Sequence, residues 1–526
     1  RTPGQVVAVT TTVLLTSTGV LALPTLRSVD VPAPSGLLDR ARALWHRPDV
    51  PLLTALTVAA VLVRLATERS FWIDEAISVR QASLPLGEML RDLQLTDVHP
   101  PLHHLILWVT VRVAGTGEWA MRMPSVLCGA ALVPVLYGMA RELFDRRTAQ
   151  VAALLAVPAP FLVWYSQEAR MYALLMLVGT AAVWAQVVAL RRPSWRAFVV
   201  WGALSAAMLW TQWFALLPLA VQQAVTVAHL VRHRRHPGIS PLVGRWLTSL
   251  LVMALLCLPL LEVVAEQLAA YGDRGAGLAT PAAAGADNSS VAGGLDAYTV
   301  IANLIWALVG YHSDEVMVLI GALWPLAMLG GFLLLGRRLT AATWLVLAVA
   351  IVPGLCLYAV AHLKRDLFEL RYFVLAAPLL VLLLARATTT LATGRRTLAV
   401  VSGALLAVSG VALADQQLNG TNPRLYDFRG AVSAIEPHLD RGDVLAYAPG
   451  YLDGVVAYYA PDARGVALDE LDPDAVEGEI FVFVSERFLR EGAAGEVGRV
   501  LADLEQARGR PERFERPNVV IWRFDP

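Results

Sequence analysis

Eleven apolar segments constrain the fold of this chain more than any other feature, because each is close to the ~20 residues that an α-helix needs to cross a bilayer. Charged residues make up only 16% of the sequence, whereas soluble globular proteins have about 25%. The pattern predicts an α-helical membrane protein with about 11–12 spans, the twelfth being the apolar run 5–24, for which spanning stays open. The eleven segments are 50–67, 124–144, 149–165, 171–190, 197–213, 214–231, 246–264, 315–335, 340–361, 371–391 and 397–414.

The distribution of basic residues predicts the orientation of these helices, since short cytoplasmic loops are enriched in arginine and lysine. One set of connections carries seventeen arginines, while the opposite set, without the long loop 68–123, carries five basic residues. This asymmetry holds only if the short apolar run 101–115, which contains two histidines and Arg112, does not span. We therefore predict an interfacial helix at 101–115, in a loop that lies outside the cytoplasm.

The chain divides into three predicted regions. Residues 1–49 form an N-terminal apolar helix and a cytoplasmic linker, residues 50–414 form the transmembrane catalytic domain, and residues 415–526 form a small extracytoplasmic α/β domain. The last region alternates the strand-like runs VLAYAP, EIFVFVS and NVVIWRF with helix-like runs such as EVGRVLADLEQA, and its length suits one small domain. The external loop 265–314 is predicted to hold a stretch of small residues followed by a second interfacial helix.

Composition argues against several classes of function. The chain has 43 basic and 43 acidic residues, and this zero net charge argues against nucleic-acid binding through bulk charge. Its three cysteines lie in apolar runs without metal-ligand spacing, so neither a zinc site nor a disulfide framework is indicated. The predicted spans contain few ionisable groups, and the sequence shows no internal repeat. Secondary transporters typically have ionisable groups within their spans and an internal repeat, so this class is disfavoured.

Polar side chains interrupt the apolar pattern in four clusters, all on the predicted external side. The first cluster, FWIDEA, contains the adjacent carboxylates Asp74 and Glu75. On a helix these two side chains point about 100° apart, so we expect only one of them to face a given site. The second cluster, DVHPPLHH, contains two prolines that form a rigid turn and hold Asp97 and His99 in place.

The third cluster, WYSQEARMYA, connects two apolar helices and is unusually rich in polar groups for a short connection. Its arginine and glutamate either face a substrate or pair with each other. The candidate residues in this cluster are Tyr165, Gln167, Glu168, Arg170 and Tyr172.

The fourth cluster, HLKRDLFELRYF, lies at the predicted external mouth of segment 371–391. It contains Lys364, Arg365, Arg371 and Tyr372, and Lys364 is the only lysine of the chain. Cations on the side that is otherwise poor in them indicate an anionic partner. That partner is either a phosphate or, alternatively, the headgroups of anionic lipids.

In this order, the runs FWIDEA, HPPLHH, EWAMRMPS, WYSQEARMY and ELRYFVLAAPL resemble the bacterial branch of the GT-C glycosyltransferases. This branch includes mannosyltransferases related to protein O-mannosyltransferases and to lipid A aminoarabinose transferases. The resemblance covers residues 50–415 and departs from the family at Gln212, where related sequences often have a histidine. It implies a lipid-phosphate-sugar donor, an active site at the external membrane surface and an acidic catalytic base in the first external loop.

The base of the family carries over to Asp74, with Glu75 beside it, and the residue before the family's Pro-Pro element carries over to His99. Because the donor phosphate already activates the sugar, the protein must supply a base for the acceptor hydroxyl and cations for the leaving oxygens. We therefore predict an inverting transfer with Asp74 as the base. The predicted phosphate ligands are Arg371, Arg170, Lys364, Arg365 and Tyr372, and the other predicted substrate contacts are His99, Glu168, Tyr165, Gln167 and Tyr172.

Several choices stay open at this point. Mannose is the expected sugar and arabinofuranose is the alternative, while the acceptor is a glycan, a glycolipid or a protein of the cell envelope. No cofactor is required by this chemistry, but a divalent metal bound through Asp97, His99 or Glu75 stays an alternative. A flippase or transporter of polyprenyl-linked glycans is the alternative activity. The expected location is the bacterial cytoplasmic membrane, with the lipid bilayer and no nucleic acid among the partners.

Overall fold

A computed structural model describes most of the chain. The described residues are 49–97, 99–275, 339–361, 370–420, 424–440, 442–489 and 494–526, together with Gly310, Gly330, Gly331, Leu334 and Asn422. The predicted helix 5–24, most of the predicted span 315–335 and the interfacial helix predicted in loop 265–314 lie outside them.

The part of the described chain before residue 419 is helical apart from its short connections. Among the described residues, six helices are long and apolar enough to cross a membrane, and one bent pair of helices makes a seventh if it counts as a single span. The predicted multi-span helical fold is therefore confirmed. The helices are α1 Val50–Leu65, α2 Ile73–Ser83, α3 Leu86–Thr96, α4 Leu102–Ala114, α5 Glu118–Leu143, α6 Arg146–Ala156, α7 Pro160–Ser166, α8 Tyr172–Arg191, α9 Trp195–Thr211, α10 Leu216–Arg232, α11 Ile239–Cys257, α12 Leu260–Gly275, α13 Ala341–Ala361, α14 Ala376–Leu391 and α15 Arg395–Leu418.

Some predicted spans differ from the helices that form. Segments 50–67, 197–213 and 371–391 give the helices α1, α9 and α14, with 16, 17 and 16 residues, because turns take up part of each apolar run. The span predicted at 246–264 forms with other bounds, since α11, Ile239–Cys257, is long and apolar enough to cross a membrane and a turn separates it from α12. Pro259 lies in that turn and lacks the N–H group that would continue the helix.

The predicted span 149–165 is broken in the middle. Helix α6 ends at Ala156, and α7 begins at Pro160 with a change of direction of 58°. The buried side chain of Arg64, in α1, donates hydrogen bonds to the backbone oxygens of Ala156 and Val157, both at 3.3 Å. These bonds satisfy carbonyl groups that the break leaves without helical partners, at a depth where water is scarce. The kink is therefore built into the bundle.

The short helices α2, α3 and α4 have 11, 11 and 13 residues. Even α4 is only about 20 Å long, less than the ~30 Å of the hydrocarbon core. Arg112 ties its end to the end of α2 by donating to the carbonyl oxygens of Ala82 (2.9 Å) and Leu84 (2.7 Å). This agrees with the interfacial helix predicted at 101–115.

The C-terminal region forms a five-stranded sheet with helices, as predicted. The strand order is β2-β1-β3-β5-β4, in which β1 pairs in parallel with β2 and β3, and β5 pairs antiparallel with β3 and β4. The three predicted strand-like runs are β1, β3 and β5, which contain most of the buried residues of the sheet. The elements are α16 Phe428–Ile435, β1 Val444–Ala448, α17 Asp453–Tyr459, β2 Arg464–Ala467, β3 Ile480–Ser485, α18 Ala494–Arg508, β4 Glu512–Arg516 and β5 Val519–Phe524.

The C-terminal domain packs on helix α2 of the membrane domain. Ala76 of α2 is 1% exposed and belongs to the same apolar cluster as Phe428 and Val455 of the C-terminal domain. At Gly454, the second residue of α17, an added Cβ would come within 3.3 Å of the Ile77 side chain. The contact between the two helices is therefore close, and it places the C-terminal domain on the loop 68–123, which contains α2.

Candidate active site

Asp74 and Glu75 lie in the first turn of α2 and point to different sides of it. The Asp74 carboxylate (Oδ2) lies 3.0 Å from Nη1 of Arg371 and 3.6 Å from Nη2 of Arg170, with its side chain 21% exposed. The Glu75 side chain is 1% exposed and contacts neither of these two arginines in the described structure. The expectation that only one of the two carboxylates faces a given site is confirmed.

Glu75 is held by protein groups on every side. Arg122 donates to both of its oxygens, from Nε at 2.8 Å and from Nη2 at 2.7 Å, and the backbone N–H of Ala169 donates to Oε1 at 2.7 Å. The same guanidinium donates to the carbonyl oxygens of Arg69 and Ser70. A carboxylate with its lone pairs occupied in this way is a poor base. The catalytic and metal-binding roles considered for Glu75 are therefore replaced by a structural one.

Arg170 is the link between Asp74 and the neighbouring groups. Its side chain is 4% exposed, and it donates to the Ser78 hydroxyl at 2.9 Å. Its Nη2 lies 3.5 Å from Nδ1 of His99, while its buried Nε has no hydrogen-bond partner in the part of the chain that the structure describes. A buried guanidinium with an unused N–H group has a donor left for one more acceptor, such as a phosphate oxygen.

The turn before α4 presents His99 to the same place. Asp97 (Oδ1) lies 2.6 Å from Nδ1 of His99 and also accepts the backbone N–H of His99 at 3.0 Å. Burial raises the pKa of Asp97, but the hydrogen bond with His99 and the electrostatic interactions with the surrounding imidazole and guanidinium groups outweigh it and hold this pKa well below its usual range. Because Nδ1 of His99 faces Asp97, Nε2 is the ring nitrogen left for a substrate.

The alternative of a metal ion finds no support in the geometry of these residues. Asp97 and His99 are hydrogen-bonded to each other, and His104 lies 3.7 Å from the second oxygen of Asp97. Burial lowers the pKa of His104 to about 4. Among the described residues, no three His, Cys, Asp or Glu side chains are placed to hold a metal ion.

Tyr372 lies beside an apolar groove between α10, α13 and α14. Its ring stacks on Phe214 with a centroid distance of 4.1 Å. Arg371, the preceding residue, contacts Asp74, so the groove opens next to the charged groups. The groove is lined by Phe214, Leu217, Val349, Pro353, Leu357, Tyr372 and Leu375, among others.

Two other predicted substrate contacts, Gln167 and Glu168, lie away from Asp74, near the Glu75–Arg122 pair. The Gln167 side-chain oxygen accepts hydrogen bonds from Gln417 at 2.8 Å and from Arg69 at 3.4 Å, so its amide joins helices. Glu168 lies in a small cavity, where burial raises its pKa to about 7 although Arg69 opposes this shift. The cavity is lined by Arg69, Ser70, Trp72, Glu75, Arg122, Trp164, Glu168, Arg424 and Tyr426.

The remaining predicted residues have mixed placements. The ring of Tyr165 is buried between those of Phe161 and Tyr172, each at 4.8 Å, which is a packing position. The Tyr172 hydroxyl is buried and has no hydrogen-bond partner among the described residues. Lys364 and Arg365 lie outside the described residues.

The sequence interpretation missed three side chains that shape the site. Arg122 pairs with Glu75, Ser78 accepts from Arg170, and Gln267 of α12 donates to the backbone oxygen of His99 at 3.1 Å. Arg122 had a detectable signal, because a cation at the end of a predicted span requires a partner. Ser78 and Gln267 had none, since serine and glutamine are common on helices and chain distance conceals their neighbours.

Part of the chain matches a known family model. Residues 98–261 match the family model described as Dolichyl-phosphate-mannose-protein mannosyltransferase. No curated protein sequence matches the chain.

Solved structures extend the likeness to most of the chain. ArnT from Cupriavidus metallidurans bound to undecaprenyl phosphate is similar with a TM-score of 0.54 and 14% identity, over 90% of this chain and 97% of that chain. Its apo state gives the same TM-score over 92% and 98% of the two chains. The Archaeoglobus fulgidus oligosaccharyltransferase in complex with Zn and sulfate has a TM-score of 0.49 and 11% identity, over 90% of this chain and 72% of that chain. At this identity the likeness to ArnT shows a shared fold.

Proposed function

We propose that this chain is a membrane-embedded glycosyltransferase of the GT-C superfamily, which transfers one sugar from a polyprenyl-phosphate carrier to an acceptor hydroxyl, with inversion at the anomeric carbon. The observation that carries this proposal is the Asp74 carboxylate, which lies within 3.0 Å of Arg371 and 3.6 Å of Arg170. One base and two cations at the mouth of an apolar groove are the groups that such a transfer requires.

The donor phosphate binds to Arg371 and Arg170 in this proposal. Each guanidinium offers several N–H donors, so each can hold a phosphate oxygen while keeping its contact with Asp74. The buried, unpartnered Nε of Arg170 supports this role. His99, whose Nδ1 contacts Asp97, supplies a further donor from Nε2 when it is protonated. The negative charge that develops on the leaving phosphate is therefore met by groups already in position.

Asp74 acts as the general base. It is the more exposed of the two adjacent carboxylates, so an acceptor hydroxyl can reach it. The acceptor oxygen forms the new bond to the anomeric carbon as the bond to the phosphate oxygen breaks, and Asp74 takes the hydroxyl proton. Since Glu75 is occupied by Arg122, the neighbouring carboxylate is not available as a nucleophile, and this favours a single displacement with inversion.

The polyprenyl chain lies in the groove between α10, α13 and α14. The groove is lined by apolar side chains and by Tyr372, the residue that follows Arg371 in the chain. A hydrocarbon chain gains about 25 cal/mol for each Å² that it buries, so this small apolar groove suits the part of the carrier next to the phosphate that the cations hold. The family description names a dolichyl-phosphate donor, and ArnT was solved with undecaprenyl phosphate, which supports this donor type.

The sugar, the acceptor and the location complete the proposal. We propose mannose as the sugar, a cell-envelope glycan, glycolipid or protein as the acceptor, and the bacterial cytoplasmic membrane as the location. The arginine asymmetry supports an active site and a C-terminal domain outside the cytoplasm. A topology reporter fused after Pro526 tests this orientation, and a cytoplasmic signal from the reporter contradicts it.

The decisive experiment for the activity uses the purified full-length protein in lipid nanodiscs. It is given polyprenyl-phosphate mannose or polyprenyl-phosphate arabinofuranose together with a cell-envelope fraction as acceptor. We expect the sugar to be transferred and free polyprenyl phosphate to be released, and Asp74→Asn to serve as the inactive control. In sealed vesicles, donor that crosses the bilayer with its sugar still attached would show a flippase and contradict the proposal.

A further inference from the structure

The segment 66–72, between α1 and α2, carries the helix turn that bears Asp74. This segment contains no helix or strand, so its backbone groups need partners from elsewhere. From the membrane domain, Arg122 donates to the carbonyl oxygens of Arg69 at 2.6 Å and Ser70 at 3.0 Å. On the side of the membrane domain, the segment is therefore held by the Arg122 guanidinium, which also binds Glu75.

The C-terminal domain holds the other side of the same segment. The Ser70 hydroxyl donates to the backbone oxygen of Tyr426 at 2.5 Å and accepts the backbone N–H of Phe428 at 3.0 Å. The backbone N–H of Phe71 donates to the Tyr459 hydroxyl oxygen at 2.6 Å. These contacts join residues separated by more than 350 positions in the chain. The last turn of loop before α2 is thus clamped between two domains.

Tyr459 has a single favourable orientation in this clamp. Its hydroxyl donates to Oε1 of Glu118, which leaves its lone pairs for the N–H of Phe71. Burial and the bond to Glu118 raise the pKa of this hydroxyl, so it stays a donor. Arg429 pairs with the other oxygen of Glu118 at 2.9 Å and also donates to the backbone oxygen of Glu68. Phe71 itself is fully buried, so its N–H would have no water to replace Tyr459.

We propose that Tyr459 is a positioning residue for the transfer reaction, through which the C-terminal domain sets the place of Asp74. Phe71 precedes Asp74 by three residues, and α2 begins between them at Ile73, so a shift of Phe71 moves the first turn of the helix and its carboxylate. A displacement of about 1 Å at a reacting group can lower a rate about 100-fold. The proposal rests on the proposed function, because the effect is exerted on the base.

The adjacent Tyr458 provides a matched control. Its hydroxyl donates to the backbone oxygen of Thr116 at 3.1 Å, and its ring packs edge-on against Phe71 at 5.0 Å. Tyr458→Phe and Tyr459→Phe each remove one hydroxyl from the same helix, yet only the second removes a contact with the segment that bears Asp74. For each variant we would measure kcat, KM for polyprenyl-phosphate mannose, thermal unfolding, and deuterium uptake of a peptide covering 68–76.

We expect Tyr459→Phe to lower kcat by about 10- to 100-fold with KM for the donor within about twofold, and to speed deuterium uptake at 68–76. Tyr458→Phe should leave kcat and this uptake unchanged. An unchanged kcat in Tyr459→Phe overturns the proposal, and so does an equal loss in both variants that tracks their unfolding temperatures. If the wild-type protein transfers no sugar, the proposed function fails, whereas equal deuterium uptake in both variants refutes the clamp independently of activity.

Discussion

The two sides of helix α2 differ in what surrounds a carboxylate. On one side, Asp74 is 21% exposed and lies beside Arg371 and Arg170, close to the apolar groove. On the other side, Glu75 is 1% exposed and forms a two-pronged pair with Arg122, which is itself 4% exposed. Both residues have the same chemistry and adjacent positions. Their different surroundings make one available for a reaction and the other part of the framework.

This difference teaches how a membrane enzyme separates stability from catalysis. A buried ion pair with all its hydrogen bonds made contributes little net stability, but the loss of one partner leaves a buried charge that costs about 3–5 kcal/mol. A partly exposed carboxylate next to cations, such as Asp74, can lose its charge at a smaller cost to the fold. Mutations on the two sides of α2 should therefore affect different measurements.

The largest expected effect is that of Asp74→Asn on turnover. Asparagine keeps the shape of the side chain and loses its basicity, and general-base catalysis contributes about 100- to 10,000-fold. We expect kcat to fall by that factor with donor binding and unfolding temperature nearly unchanged. The measurement is single-turnover transfer from polyprenyl-phosphate mannose. Normal turnover in this variant would contradict the assigned base.

Glu75→Gln should instead lower stability. The neutral amide leaves the buried Arg122 without its counter-charge, which should destabilise the fold by about 3–5 kcal/mol. Thermal unfolding in detergent, followed by intrinsic fluorescence, measures this loss, and Glu88→Gln on the exposed face of α3 is the control. Folded variant that remains should turn over faster than Asp74→Asn. If Glu75→Gln were as stable as the wild type but inactive, Glu75 would be the base and the roles assigned to the two carboxylates would be reversed.

Substitutions of Arg371, on the Asp74 side of α2, test the binding of the donor phosphate. A charge-assisted hydrogen bond to phosphate contributes about 1.5–3 kcal/mol, so Arg371→Ala should weaken donor binding by roughly 10- to 150-fold. Arg371→Lys should recover only part of this affinity, because a lysine cannot form the paired hydrogen bonds of a guanidinium. Binding of a labelled polyprenyl phosphate to nanodiscs measures the effect, with the exposed Arg395→Ala as control. Unchanged binding would leave Arg371 as a contact for lipid headgroups.

Glu168, on the Glu75 side, should give the smallest effect, a pH dependence of stability. Burial raises its folded pKa from 4.5 to about 7, so the folded protein favours the protonated acid. As pH rises from about 4.5 to 7, the unfolded chain loses this proton first and the folded state loses stability relative to it. Glu168→Gln stays neutral and should remove this fall, a difference of roughly 2–4 °C in Tm across the window. Parallel Tm curves for both proteins would contradict the buried acid.

The sequence was sufficient for the architecture where the physical signal is local. Long apolar runs require helices in lipid, so most spans could be predicted, and the buried strands β1, β3 and β5 were visible as apolar runs. The strands β2 (RGVA) and β4 (ERFER) were not predicted, because they lie at the sheet edges and stay largely exposed. The break between α6 and α7 was missed although Pro158 and Pro160 mark it locally, and the Arg64 side chain that donates to its carbonyl oxygens comes from far away in the chain.

The sequence by itself determined a helical membrane protein with a C-terminal α/β domain, and it determined that Asp74 and Glu75 must point apart. These features follow from hydropathy and helix geometry, which act over a few residues. Only the tertiary structure decided that Arg371 and Arg170 meet Asp74, that Arg122 meets Glu75, and that the C-terminal domain clamps Phe71. Such pairings join residues 47 to 388 positions apart, and they depend on packing that no local pattern records.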